Sequence, residues 1–177
     1  MTLLLFRGTL SERKYTKTVG LFQERICMKL STKGRYGLRA MLDLAINSEQ
    51  EDAVCIQSIS ERQNISESYL EQLVRKLRTA GLVKSVRGAG GGYRLARPAD
   101  QISVGDVLRA LEGSIEAVTC GEDGACEQMD VCVTRLVWER VNKAIEESVD
   151  TIMLSQLVEE SRKKNSVAQI DTKECVN

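Results

Sequence analysis

Apolar residues recur along this chain in three rhythms, and each rhythm implies an element. Leu38, Met41, Leu42, Ala45 and Ile46 fall at i, i+3, i+4, i+7 and i+8, the pattern of one apolar helix face. The spacing predicts a helix from about Lys33 to Asn47, followed by the polar loop SEQEDA. Ser58 and Glu61 form an S-x-x-E capping signature, so a short second helix is expected, ending near Asn64. Ser66 offers an N-cap for a third helix. Its inner face is Leu70, Leu73, Val74 and Leu77; Ser68, Glu71, Gln72, Arg75 and Lys76 project away, and Gly81 is a natural stop.

The rhythm then shortens to alternation. Leu82 to Val86 reads as a strand, the run Arg87 to Gly92 as a turn, and Tyr93 to Ala96 as a second strand that Pro98 ends. Ser103 and Asp106 form another capping box, opening a helix through about Leu111. Beyond a Gly- and acid-rich loop, Val133, Val137, Val141, Ala144, Ile145, Val149 and Ile152 make a stripe with steps of three and four. Such a stripe on one long helix outside a compact domain seeks a partner helix.

Three helices followed by a two-stranded hairpin is the order of a winged helix-turn-helix. The fold class expected is mainly α: a winged helix-turn-helix with a two-stranded wing, plus a long C-terminal dimerisation helix. Residues 28–98 form the DNA-binding domain, 99–112 a linking helix, 113–132 a cysteine loop, 133–160 the dimerisation helix and 161–177 a polar, flexible tail. Residues 1–27 lack a sustained apolar period and are expected to be a disordered extension before a natural start at Met28.

In a helix-turn-helix the second helix enters the major groove with its N-terminal residues at base edges. Those residues are Ser66, Ser68, Tyr69, Glu71 and Gln72. Gln pairs with an adenine edge and Glu accepts from cytosine N4. Arg75, Lys76 and Arg78 lie nearer the phosphates, and Arg87 at the wing tip suits a narrow minor groove. The glycines after Arg87 do not form a nucleotide-binding loop, which must lead from a strand into a helix; here they lead into Tyr93-Arg94-Leu95 and a proline.

Charge sharpens this picture. The 177 residues balance 25 basic against 25 acidic side chains, but unevenly. Residues 29–97 carry 12 basic and 7 acidic groups, a net of +5, whereas residues 98–177 carry 8 and 16, a net of −8. The basic half suits a polyanion such as double-stranded DNA; the acidic half does not. Aromatics are 4% of the chain, so the core is aliphatic. No stretch is long and apolar enough to span a membrane, and a cytoplasmic location is expected.

There, thiols stay reduced and favour metal or redox chemistry over disulfides. Six cysteines and no histidine are present, and Cys120, Cys126 and Cys132 are separated by five residues each. Thiolates suit zinc, cuprous copper and iron–sulfur clusters. Zinc sites use close pairs such as C-x-x-C, so even spacing in a loop better suits a cluster with a fourth position filled from elsewhere. A structural zinc and plain free thiols are the alternatives. Cys55 is expected to be small and buried, and Cys27 and Cys175 incidental.

The segments KLSTKGRYGLRAMLDLA, ISERQNISESYLEQLVRKLRTAGLVKSVRGAGGGYRLA and the three spaced cysteines resemble the IscR-type iron–sulfur cluster regulators, a family of dimeric winged-helix repressors. The resemblance covers about Met28 to Glu160. It implies a homodimer held by the C-terminal helix on a roughly palindromic operator, with iron–sulfur assembly proteins as cluster donors. It also implies that Ser66, Ser68, Tyr69, Glu71 and Gln72 contact DNA from the recognition helix and Arg87 from the wing. Cys120, Cys126 and Cys132 would hold the cluster, a 2Fe–2S centre first and a 4Fe–4S centre second.

The chain departs from that pattern at the fourth ligand. The histidine often found three residues after the last cysteine is Arg135, and the Asp that some relatives use near the first helix is Arg35. Arginine has no lone pair to give. Glu122, Asp123, Glu127, Asp130, Cys55, Cys27 or an exogenous ligand remain.

The expected function is a non-enzymatic regulator of iron–sulfur assembly genes. Within the class the alternatives are a nitric-oxide or redox sensor and a cluster-free regulator of cysteine metabolism. Outside it stands an iron–sulfur electron carrier, which needs neither a recognition helix nor a wing. Without histidine there is no imidazole base for an enzyme.

Overall fold

The computed structural model describes residues 31–48, 53–88, 90–118 and 131–174, with side chains through Asn165. In chain order, α1 is Thr32–Asn47, α2 Ile56–Gln63, α3 Glu67–Thr79, β1 Val83–Val86, β2 Gly92–Leu95, α4 Val104–Glu112, α5 Arg135–Thr151 and α6 Leu154–Glu174. A 3-10 turn, Ala99–Gln101, joins the hairpin to α4.

Each boundary has a local chemical cause. The Ser31 hydroxyl accepts from the Lys33 amide at the start of α1. Asn64 closes α2 in the left-handed conformation at φ 52°, which Asn tolerates better than most side chains. At the end of α3, the Leu82 amide reaches the Leu77 carbonyl and Gly81, at φ 72°, reaches Arg78. That is a Schellman stop, and a side chain at the left-handed position would strain it. Both halves of the Ser103–Asp106 capping box form at α4.

The aliphatic core sits under α1, between α2, α3, α4 and the start of α6. Met41, Leu44, Ile59, Leu70, Leu77, Ile102 and Leu154 are fully buried in it. β1 and β2 pair antiparallel with Val83 opposite Leu95 and Val86 opposite Gly92. Val54 adds a bridge to Tyr93 on the far side of β2. A Cβ on Gly92 would fall on the Val54 carbonyl, so the close approach there requires glycine.

The structure departs from the sequence expectation at four places. The second helix does not use Ser58 as its cap: α2 begins three residues earlier, with Cys55 as N-cap and its sulfur accepting from the Ser58 amide. Cys55 is consequently exposed rather than buried. The stretch expected as one helix over 133–160 is two, because Ile152 and Met153 leave the helix to bridge the chain before α4. The Val104 amide donates to the Ile152 carbonyl and the Leu154 amide to Ile102, each at 2.9 Å. Leu154 and Val158 then enter the winged-domain core, 0% and 4% exposed. Finally, the helix continues through 161–174, where no Gly or Pro interrupts it.

Among the described residues, no helix is long and apolar enough to cross a membrane.

Candidate DNA-reading surface and metal centre

The recognition helix is α3. Leu70, Leu73, Val74 and Leu77 are at most 1% exposed and seat it on the core. This leaves Ser66, Ser68, Glu71, Gln72 and Arg75 exposed on one outer surface. The Ser66 hydroxyl makes no capping bond within the helix. Tyr69 is half-buried, and its ring meets Tyr36 of α1 edge-on with centroids 6.1 Å apart. The Arg39 guanidinium lies 5.6 Å over the Tyr36 ring. Lys76 is engaged inward: its ammonium donates to the Leu111 carbonyl at the end of α4, 3.0 Å away. α3 is thus tied to α1 near its start and to α4 near its end.

The turn before α3 is held by a group the sequence pattern does not single out. Asp43, 3% exposed on the core side of α1, accepts from Arg62 Nη2 at 2.6 Å and Nε at 3.0 Å. It also accepts from Gln63 Nε2 at 2.9 Å and Asn47 Nδ2 at 3.2 Å. Arg39 reinforces the same corner through the Gln63 carbonyl, 2.6 Å away. The only sequence signal is a carboxylate three residues after Ala40 and one before Leu44, both core positions.

On the wing, Arg87 is exposed beside Gly88, whose φ of 125° suits glycine alone. Lys84 and Arg94 stand directly opposite each other across the two strands, and both are exposed. Like charges in that register destabilise a hairpin, and a polyanion relieves them. Sequence reading missed this pair because it depends on register.

Of the three spaced cysteines, Cys120 and Cys126 lie outside the described residues, as do candidate ligands Cys27, Glu122, Asp123, Glu127 and Asp130. Cys132 is half-buried just before α5, its sulfur 3.1 Å from the Thr134 hydroxyl. That hydroxyl, then the Arg135 amide, holds the thiol below its ordinary pKa. A thiol biased toward thiolate fits a cluster or metal ligand. Arg135 Nε pairs with Glu139 at 2.6 Å. Cys55, the other candidate fourth thiol, caps α2 and is held below its usual pKa by the Ser58 hydroxyl and amide. Among the described residues, no three His, Cys, Asp or Glu side chains converge to hold a metal.

Both borders of the cysteine segment rest on α5. Asn142 accepts from the Ala117 and Val118 amides at 2.9 and 3.4 Å and donates to the Val118 carbonyl at 2.8 Å. Arg109 of α4 donates to the Asp150 carboxylate of α5 through both terminal guanidinium nitrogens, Nη1 and Nη2. α5 itself has no buried residue: Leu136 is 61% and Val137 54% exposed.

The sequence profile of the Rrf2 family, described as iron-dependent transcriptional regulators, matches residues 30–160. The chain is 44% identical over 150 residues to the HTH-type transcriptional regulator IscR of Vibrio campbellii, covering 85% of this chain and 86% of the relative. Among solved structures it is similar to T. potens IscR, with 50% identity and a TM-score of 0.63 over 75% of this chain and 88% of the other. It is also similar to CymR (YrzC), the global cysteine regulator of B. subtilis, with 45% identity and a TM-score of 0.64 over 75% and 97%. A recognition helix, a basic wing and these relatives agree: the chain is a transcriptional regulator rather than an enzyme, and it belongs to the Rrf2 family.

Proposed function

We propose that this regulator is a homodimeric repressor that senses iron–sulfur cluster status and controls iron–sulfur cluster assembly genes. The observation that carries the reading is the evenly spaced run Cys120, Cys126, Cys132 leading directly into α5. Soft thiolates at that spacing suit a cluster, 2Fe–2S first and 4Fe–4S second. The IscR relatives support the same reading. When bound, the cluster supplies an iron–sulfide centre that oxidants, nitric oxide or iron shortage can dismantle. Its fourth ligand comes from outside the three thiols, and an incompletely ligated centre is labile, which serves a sensor. Assembly proteins of the cytoplasm are the donors.

The protein's own residues do the reading. Ser66, Ser68, Glu71 and Gln72 meet base edges in the major groove, with Tyr69 at their border, while Arg75 meets phosphate. Arg87 enters the minor groove and Lys84 and Arg94 face the backbone. The exposed apolar residues of α5 pair with a second copy, setting two half-sites about 34 Å apart or a multiple. Cluster occupancy acts at the root of that helix and so on the half-site geometry.

The likeness to a cysteine regulator supports a second reading, a cluster-free regulator of cysteine metabolism; the three thiols argue against it. Anaerobic absorbance with iron and sulfide quantified separates the two. A chromophore with matching iron and sulfide, lost in Cys126→Ala, supports the proposal. A colourless, iron-free protein after reconstitution contradicts it.

A further inference from the structure

Resting on the reading that the first turn of α3 meets base edges, we propose that Tyr36, locked by Arg39, is a positioning residue for sequence discrimination. It acts through the Tyr69 ring, which it holds, and so sets the placement of that turn. Among residues 66–69, Ser66, Glu67 and Ser68 are exposed and Tyr69 is the one half-buried side chain. The aliphatic seat of the helix begins one residue later, at Leu70. The first turn therefore rests on whatever holds Tyr69. The Tyr36 ring meets it 6.1 Å centroid to centroid, with the planes 85° apart. In that arrangement the positive edge of one ring meets the negative face of the other. Both rings also pack against the aliphatic core.

Tyr36 is held in turn from its own helix. Arg39 lies at i+3 on α1, on the same face, with its guanidinium 5.6 Å from the Tyr36 ring centroid. That guanidinium is fixed: Nε donates to Gln63 Oε1 at 3.1 Å and Nη2 to the Gln63 carbonyl at 2.6 Å. Two bonds from one planar fork set its plane. The Gln63 side chain is pinned at its other end, where Nε2 donates to Asp43 Oδ2 at 2.9 Å, so the amide orientation is settled. Gln63 is the last residue of α2. The series Gln63, Arg39, Tyr36, Tyr69 thus runs from the entry of the helix-turn-helix corner to the edge that reads bases, without passing through the backbone of the turn. Base-edge bonds need groups held within about 0.5 Å of their working positions, whereas phosphate contacts carry no sequence information. A small tilt of the first turn therefore costs selectivity before it costs affinity for arbitrary DNA.

The test uses the full-length protein at one fixed salt concentration and two duplexes: an operator that wild type selects from a random pool, and a scrambled sequence. Tyr36→Leu should lower the ratio of operator to scrambled affinity about fivefold, the scale of one aromatic pair. Scrambled binding should hold, and the Tyr69 ring signals should shift in NMR spectra of ring-labelled tyrosine. Tyr36→Phe keeps the ring and should restore the ratio. Arg39→Lys keeps the charge but not the fork, and should lower the ratio about twofold. Its position is exposed, so it decides the matter if Tyr36→Leu does not fold. On a Tyr69→Leu background, Tyr36→Leu should add nothing. An unchanged ratio, an equal loss on both duplexes, or full additivity with Tyr69→Leu would overturn the positioning role. If Glu71→Ala combined with Gln72→Ala leaves the ratio intact, the base-reading assignment fails alone. The Tyr69 ring signals then still decide whether Tyr36 holds the turn, and unshifted signals in Tyr36→Leu overturn it.

Discussion

Asp43→Ala tests whether the helix-turn-helix corner is built as described. The substitution removes the acceptor shared by Arg62, Gln63 and Asn47 from a site 3% exposed. Breaking one partner of a buried ion pair costs about 3–5 kcal/mol. Here Arg62 is 40% exposed and can rehydrate, and alanine gains about 0.5 kcal/mol of helix propensity over aspartate. Those corrections leave about 2–3 kcal/mol. For a chain of this length each kcal/mol moves the melting temperature by about 2–4 °C, so a drop of about 5–10 °C is expected at fixed protein concentration. Asp43→Asn keeps the shape but turns amide hydrogens toward donors, and should cost about 1–2 kcal/mol. The assay is urea denaturation of both variants, with Arg62→Ala and the double variant closing a cycle. A coupling of about 1–2 kcal/mol is expected for residues in one network. A loss under about 0.5 kcal/mol for Asp43→Ala, or zero coupling to Arg62, would show that Asp43 does not hold this corner.

Other outcomes follow from particular contacts. The Glu112 carboxylate is pushed up by burial but held lower, on balance, by the Ser31 hydroxyl and the Gly34 and Ser31 amides. A carboxylate whose folded pKa is depressed contributes stability above its unfolded value, about 4.3, and loses it as pH falls through the folded value. Glu112→Gln should therefore be less stable than wild type near neutrality, with the gap closing in acid below about pH 4.3; a gap independent of pH contradicts this. Gly92→Ala drives a Cβ into the Val54 carbonyl and should cost about 1–3 kcal/mol, with faster hydrogen exchange at Tyr93. Val137→Glu on the exposed face of α5 should yield monomers in sedimentation; a persistent dimer would place the interface elsewhere. Lys84→Ala should weaken operator binding for all sequences alike and flatten its salt dependence by about one ion, while leaving the hairpin no less stable.

The winged domain was legible because helix and strand periods, caps and the hairpin turn are local signals. Leu70, Leu73, Val74 and Leu77 announce α3, and Gly81 stops it as expected. The break at Ile152–Met153 was not legible. The stretch Thr151 to Leu154 holds no Gly or Pro, and the cause is a backbone bridge to residues 102–104, which no local pattern carries. Cys55 in place of Ser58 as the cap is a similar case. The S-x-x-E signature was present, but the Val54 bridge to Tyr93 brings the chain into its extended conformation just before Cys55, so the helix starts there. At the site, outward residues of α3 follow from its inward stripe. Asp43, the Lys84–Arg94 pair and Asn142 become visible only when distant segments meet.

Thiol-bound cluster occupancy is expected to change how the dimer reads its operator. The most direct measurement is operator affinity by fluorescence anisotropy at one fixed salt concentration, on duplexes selected from a random pool, for loaded, cluster-free and Cys126→Ala protein. Loaded and cluster-free forms should differ by about tenfold, a coupling near 1.4 kcal/mol, and Cys126→Ala should bind as the cluster-free form does under every loading condition. Equal affinity in all three forms would contradict it.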